Sequence, residues 1–191
     1  MADEALVSLR RHAEMAQALV DDELARQIEL AAAQLAERFA AGAKLLVFGN
    51  GGSAADAQHV AAELTGRYLI ERAPLPAIAL TDNNAALSAI ANDYGYDQVF
   101  ARQVEAHGRS GDAALALSTS GSSANVLEGL RSASARGLWT LGVTGPRGEP
   151  MRPLCDSLIV VPAAETPQIQ EGTMIVLHTI CELVEQQLFG G

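Results

Sequence analysis

The chain has 191 residues, 49% apolar, 19% charged and 4% aromatic, with 17 glycines; that is one domain's worth of alanine-rich globule, and it excludes collagen, disorder and a disulfide scaffold. A formal charge of −10 disfavours broad contact with nucleic-acid phosphates, so any anionic ligand must be held locally, against the field of the whole molecule. No apolar run approaches the roughly 18 residues of a membrane span, MADEALVSLRRHAEMAQ lacks the apolar stretch of a secretory signal, and Cys155 and Cys181 lie in apolar segments, so the expectation is a reduced, cytoplasmic protein.

The first forty residues read as helix. Leu6, Leu9, Ala13, Ala16 and Val20 form a thin apolar stripe over about 3–20; Leu24, Ile28, Ala31, Leu35 and Phe39 form a fuller one, capped by Asp21 or Asp22 and stopped by Gly42. Two helices cannot make a core of their own, so residues 1–42 are expected to act as a helical arm, packed on the domain at 43–191 or on another subunit. From Lys44 the pattern becomes short apolar strands, KLLVF (44–48), AIAL (77–80), AALALS (113–118), WTLGVT (139–144) and SLIVV (157–161). Helical patterns intervene at about 53–67, 84–92, 97–107 and 122–136, with a long one at 168–188; Pro74–Pro76 and TGPRGEP (144–150) read as connectors. This alternation predicts a three-layer α/β fold with a doubly wound, five-stranded parallel sheet.

Two turns carry the binding chemistry. KLLVF runs into Gly49-Asn50-Gly51-Gly52-Ser53 and then a helix, a junction where glycines permit close approach of a ligand, Ser53 can cap, and free N–H groups can hold an anion. It is neither GxGxxG nor a Walker A loop. AALALS ends in Ser118-Thr119-Ser120-Gly121-Ser122-Ser123, more hydroxyls than a cap requires, and enough to surround a phosphate without a cation. In a flavodoxin-like order 2-1-3-4-5 these turns are neighbours at the switch point, where ligands bind.

His59 and Glu63 are four apart on the helix after the first turn and share one face. His178 lies in the closing helix among Ile175, Val176, Leu177 and Ile180, a setting that disfavours a charged imidazole. Taken singly, the first two read as an exposed pair and the third as a core histidine. Taken together with Gln170 they are an acceptable donor set for zinc, with one objection: eight residues of helix separate Gln170 and His178 by about 12 Å.

GNGGSAADAQHVAAELTGRY, AIANDYGYDQVFARQVEAHGRSGD, STSGSSANV and TPQIQEGTMIVLH together resemble the phosphoheptose (sedoheptulose 7-phosphate) isomerases of the sugar isomerase (SIS) domain superfamily, over about residues 5–189. The resemblance implies a flavodoxin-like sheet, a homotetramer with active sites between subunits, and conversion of sedoheptulose 7-phosphate to D-glycero-D-manno-heptose 7-phosphate, the first step toward ADP-heptose and lipopolysaccharide. It places the substrate on Asn50, Gly51, Gly52, Ser53, Glu63, Asn92, Asp93, Ser118, Thr119, Ser120, Ser123 and Gln170. Catalysis falls to Glu63 and His178, and one zinc per subunit to His59, Glu63, Gln170 and His178. Pro167 stands where some members carry an aspartate, whose role is not carried over. The alternative is the DnaA-binding replication-initiation regulator of the same superfamily, which lacks the catalytic glutamate and histidine that this chain has. A sugar-phosphate-sensing regulator would bring a basic DNA-binding segment, and none is present.

Overall fold

The computed structural model describes residues 2–190. Two helices, α1 (Ala2–Ala18) and α2 (Asp22–Ala40), precede β1 (Leu45–Gly49), α3 (Gly52–Thr65), β2 (Ala77–Ala79), α4 (Asn84–Tyr94), α5 (Val99–His107), β3 (Ala113–Ser118), α6 (Ala124–Ala135), β4 (Trp139–Thr144), β5 (Ser157–Val160) and α7 (Thr166–Phe189). The strands form one parallel sheet in the order β2-β1-β3-β4-β5. The flavodoxin-like expectation therefore holds, and the ends of β1 and β3 lie side by side.

Every residue of β1, β3 and β4 is buried, which is why they read as unbroken apolar runs rather than alternations. The strand period of two divides their side chains between two cores. Leu45, Val47, Leu115 and Leu117 face α2, α3 and α7. Leu46, Phe48, Ala114 and Ala116 face α5 and α6. Asp21 accepts from the N–H groups of Glu23 and Leu24 and so caps α2.

Of the helical arm, α2 packs on the domain, one of its two expected placements, with Leu24, Ile28, Ala31, Leu35 and Phe39 joining the core of the sheet and α7. Two features depart from the sequence reading. Only α1 stands off. Its inward face carries Met15, with Leu19 just beyond the helix end, and the expected stripe points outward, with Leu6, Leu9 and Val20 at 46%, 64% and 78% exposure. Lastly, a 3-10 turn occupies Glu149–Leu154, within and beyond the supposed connector. Pro150 and Pro153 withhold two N–H donors there, and a short tight helix tolerates this where an α-helix does not.

Candidate active site

The first turn leaves β1 through Gly51, whose φ of +57° is a conformation that suits glycine. Gly51 takes the N-cap position of α3 and brings no side-chain cap; Ser53, expected there, lies inside the first helical turn and is buried. The second turn ends at Ser123, the N-cap of α6, whose hydroxyl makes no capping bond. Two helix N-termini thus leave N–H groups uncapped by side chains, at the ends of adjacent strands, the arrangement that attracts an anion.

An amide pair, buried at Asn125 and half-buried at Asn50, joins the turns. Asn50 Nδ2 donates to Asn125 Oδ1 at 2.8 Å, and Asn125 Nδ2 donates back to Asn50 Oδ1 at 2.8 Å. The Tyr96 hydroxyl also donates to Asn50 Oδ1, at 3.2 Å. Beside them lies a cavity of about 80 Å³ lined by Asn50, Ser53, Leu117, Ser118, Thr119, Ser123 and Gln170. No lysine or arginine lines it. Its volume suits a phosphoryl-sized group and falls well short of the roughly 300–1,000 Å³ of a site that encloses a drug-sized ligand. Hollows of about 350 and 330 Å³ beside α2 hold none of the expected site residues.

Gln170 reaches this cavity because α7 passes against the first turn; a Cβ on Gly52 would overlap its carboxamide. Ser120 is turned elsewhere and accepts from the Ser122 N–H and hydroxyl at 3.3 and 3.1 Å. Asn92 and Asp93 are exposed, bonded to one another at 2.8 Å, and do not line the cavity.

The second group forms between α3 and α7. His59 Nε2 lies 3.1 Å from Glu63 Oε1 and 3.1 Å from His178 Nε2, and the two imidazole rings are 5.1 Å apart. All three coordinating atoms fall within 4.8 Å of one another. Two imidazole nitrogens and a carboxylate oxygen aimed at one point are a donor set that zinc accepts, so these residues fit the implied ion. Gln170 is not in this cluster within the chain: α7 is continuous from Thr166, so the objection of about 12 Å of helical rise stands.

His178 differs from its sequence expectation. Val176, Leu177 and Ile180 are buried, but they sit on other faces of α7. The imidazole is half-buried, turned toward His59 and the Tyr68 ring at 5.3 Å. A helix separates residues two apart onto different faces, so apolar sequence neighbours do not imply an apolar surround. Asp56, one turn before His59, has a buried Oδ2 without a hydrogen-bond partner. Burial pushes its carboxyl up to about 6, partly opposed by His59.

Asn125, Tyr96, Tyr68 and Asp56 are the residues that sequence reasoning missed. All four lie inside quoted motifs, but a buried amide or an aromatic contact between distant segments leaves no spacing signal.

The SIS domain family matches residues 10–145. A phosphoheptose isomerase from Bradyrhizobium sp. is 51% identical over 189 residues, covering 98% of this chain and 96% of its own. Among solved structures, phosphoheptose isomerase GmhA from Neisseria gonorrhoeae has a TM-score of 0.83 at 40% identity, covering 97% of this chain and 96% of its own. A phosphoheptose isomerase from Francisella tularensis has a TM-score of 0.92 at 32% identity, covering 97% and 98%. Similarity of this extent takes in α1, both turns and both helices of the His59–Glu63–His178 cluster, and with it the chain belongs to the phosphoheptose isomerase family of SIS-domain proteins.

Proposed function

We propose that the protein is an aldose–ketose isomerase converting sedoheptulose 7-phosphate to D-glycero-D-manno-heptose 7-phosphate through an enediol, in the cytoplasm and on the route to ADP-heptose and lipopolysaccharide. The observation that carries this reading is the pairing of a cation-free anion cradle with a separate carboxylate–imidazole cluster on the same long helix. Gln170 at the cradle and His178 in the cluster are about 12 Å apart along α7. An extended heptose phosphate is on the order of 10 Å long at C–C bonds of ~1.5 Å. One end can therefore be anchored while the other reacts.

Ser118, Thr119 and Ser123 hold the phosphate with hydroxyls and the N–H groups of the α6 terminus, and this remote binding positions C1 and C2. Glu63 removes the proton from C1 of the ketose and returns it to C2. His178 takes the O1 proton and delivers one to O2, so the sugar gains and loses nothing. The two roles are exchangeable on this geometry. His59, Glu63 and His178 would hold zinc, which when bound would supply a Lewis acid for the developing oxygen charge.

A homotetramer with shared sites is part of the proposal. Two observations support it: the outward apolar stripe of α1, and a cradle too small to enclose the sugar while Asn92 and Asp93 stand outside it. The presence of both Glu63 and His178 in one cluster argues for the enzyme over a binding regulator. Incubation with sedoheptulose 7-phosphate, followed by NMR, tests the reading. Aldose product is expected from the wild type and a fall of about 100-fold or more in Glu63→Gln; no product with or without zinc overturns it.

A further inference from the structure

The molecule contains a deeply buried ion pair outside the groups described so far. The Arg72 and Glu185 side chains are 0% and 1% exposed, with Nε and Oε1 at 2.8 Å. Such pairs are weak devices for stability, because desolvation offsets much of the attraction. What this one touches is therefore informative.

Glu185 accepts from three successive backbone N–H groups, those of Tyr68, Leu69 and Ile70, at 2.7, 2.7 and 2.8 Å. Burial pushes its carboxyl up, but these donors and Arg72 outweigh that and hold it below the usual carboxylate range. Arg72 also reaches the end of α3: Nη1 donates to Leu64 O at 2.9 Å, as well as to Ala73 O at 3.0 Å, and Nη2 donates to Glu63 O at 3.1 Å. Those carbonyls belong to the last helical turn, where no intrahelical partner exists.

The consequence is geometric. Glu185 lies two turns after His178 on α7, about 10 Å along the axis. The segment it grips runs back along the helix, so that the Tyr68 ring meets the His178 imidazole at 5.3 Å. One buried pair therefore fixes three things at once: the end of the helix carrying His59 and Glu63, the backbone of Tyr68, and the helix carrying His178.

We propose that Arg72 and Glu185 are positioning residues for the acid–base cluster, acting through the Tyr68 ring on His178 and through the last turn of α3 on Glu63. The roles of Glu63 and His178 in this statement rest on the function proposed above. Displacement of a reacting group by about 1 Å can cost 100-fold, so a device of this kind bears on turnover as well as on folding.

Glu185→Gln is the informative change. It keeps shape but gives one acceptor and two new donors to a site that already presents three N–H groups and a guanidinium. Turnover is expected to fall at least tenfold with KM within about threefold, the signature of a lost transition-state arrangement. Tyr68→Ala, at a half-buried position, is expected to lower kcat in the same manner. In the double variant Glu185→Gln should cost less than it does alone, because the part of its effect that runs through Tyr68 is already lost and only the part that runs through α3 remains. Where Glu185→Gln yields too little folded protein, Arg72→Lys takes its place, since one ammonium cannot serve both α3 carbonyls and Glu185.

A second readout is independent of activity. The chain has four histidines, and histidine-labelled protein resolves their ring resonances by NMR. The His178 signal in Glu185→Gln or Arg72→Lys should move in the direction seen in Tyr68→Ala, as the ring current of Tyr68 is withdrawn. Unchanged kcat with only a lower Tm, or a His178 resonance that stays in place, overturns the proposal. Wild-type protein without isomerase activity would overturn the proposed function instead, and the resonance would still decide the positioning role.

Discussion

A methyl group placed on Gly52 would overlap the Gln170 amide nitrogen and lie 2.7 Å from its Cδ and 2.9 Å from its Oε1. No backbone atom is among these neighbours, and Gly52 begins α3 without a positive φ. Gly52→Ala therefore places no strain on the main chain. It gains up to about 0.5–1 kcal/mol from the higher helix propensity of alanine and gives back a similar amount, about 0.5–1.5 kcal/mol, in forcing Gln170 from its rotamer. Net stability should stay within about 1 kcal/mol, a Tm change of roughly 2–4 °C for a chain of this size. Binding is another matter. Gln170 lines the cradle, and a hydrogen bond to a charged ligand is worth about 1.5–3 kcal/mol, or roughly 10- to 150-fold at 1.4 kcal/mol per decade. Thermal unfolding and steady-state kinetics on the same preparation separate the two effects. A collapse in Tm, or wild-type kcat/KM, refutes the reasoning that Gly52 exists to admit Gln170.

Ser123→Ala should weaken inhibition by inorganic phosphate about tenfold, whereas Ser120→Ala, whose hydroxyl is engaged with Ser122, should change it less than about threefold; the reverse order would move the anion to the other side of the turn. His59→Ala should lower zinc affinity beyond the 10- to 100-fold typical of losing an outer-sphere partner, as metal analysis after dialysis would show, and undiminished zinc content removes His59 from the ligand set. Deletion of residues 1–20 should dissociate the assembly in light scattering and reduce activity although Glu63 and His178 remain. A fully active protein of unchanged mass would mean that the outward stripe of α1 covers nothing.

The three central strands were legible because burial on both faces leaves a continuous apolar run, and the two turns because glycines and hydroxyls cluster where the runs stop. The register of α1 was not. Its stripe of Leu6, Leu9 and Val20 is a helical pattern without a partner in this chain, and periodicity reports that a face is apolar, not what covers it. His178 was misjudged through its neighbours in sequence, which occupy other faces of α7. Asn125 and the Arg72–Glu185 pair were invisible for a different reason: 75 and 113 residues separate the partners, and a buried polar contact of that span has no periodic trace. The site was legible as residue types and not as a division of labour.

That division lies along α7. Near its start Gln170 helps close the cradle, and two turns later His178 meets Glu63 and His59 from α3. The cradle itself is built from strand ends and helix starts, whereas the reactive groups project from helical faces. The proposed anchor and the proposed reactor are therefore separable parts, and either could be exchanged while the other is kept. A chain that retained Ser118 to Ser123 but carried apolar residues at 63 and 178 would still grasp a sugar phosphate and would leave it unchanged. On the roles proposed for these residues, an enzyme is two substitutions away from a receptor.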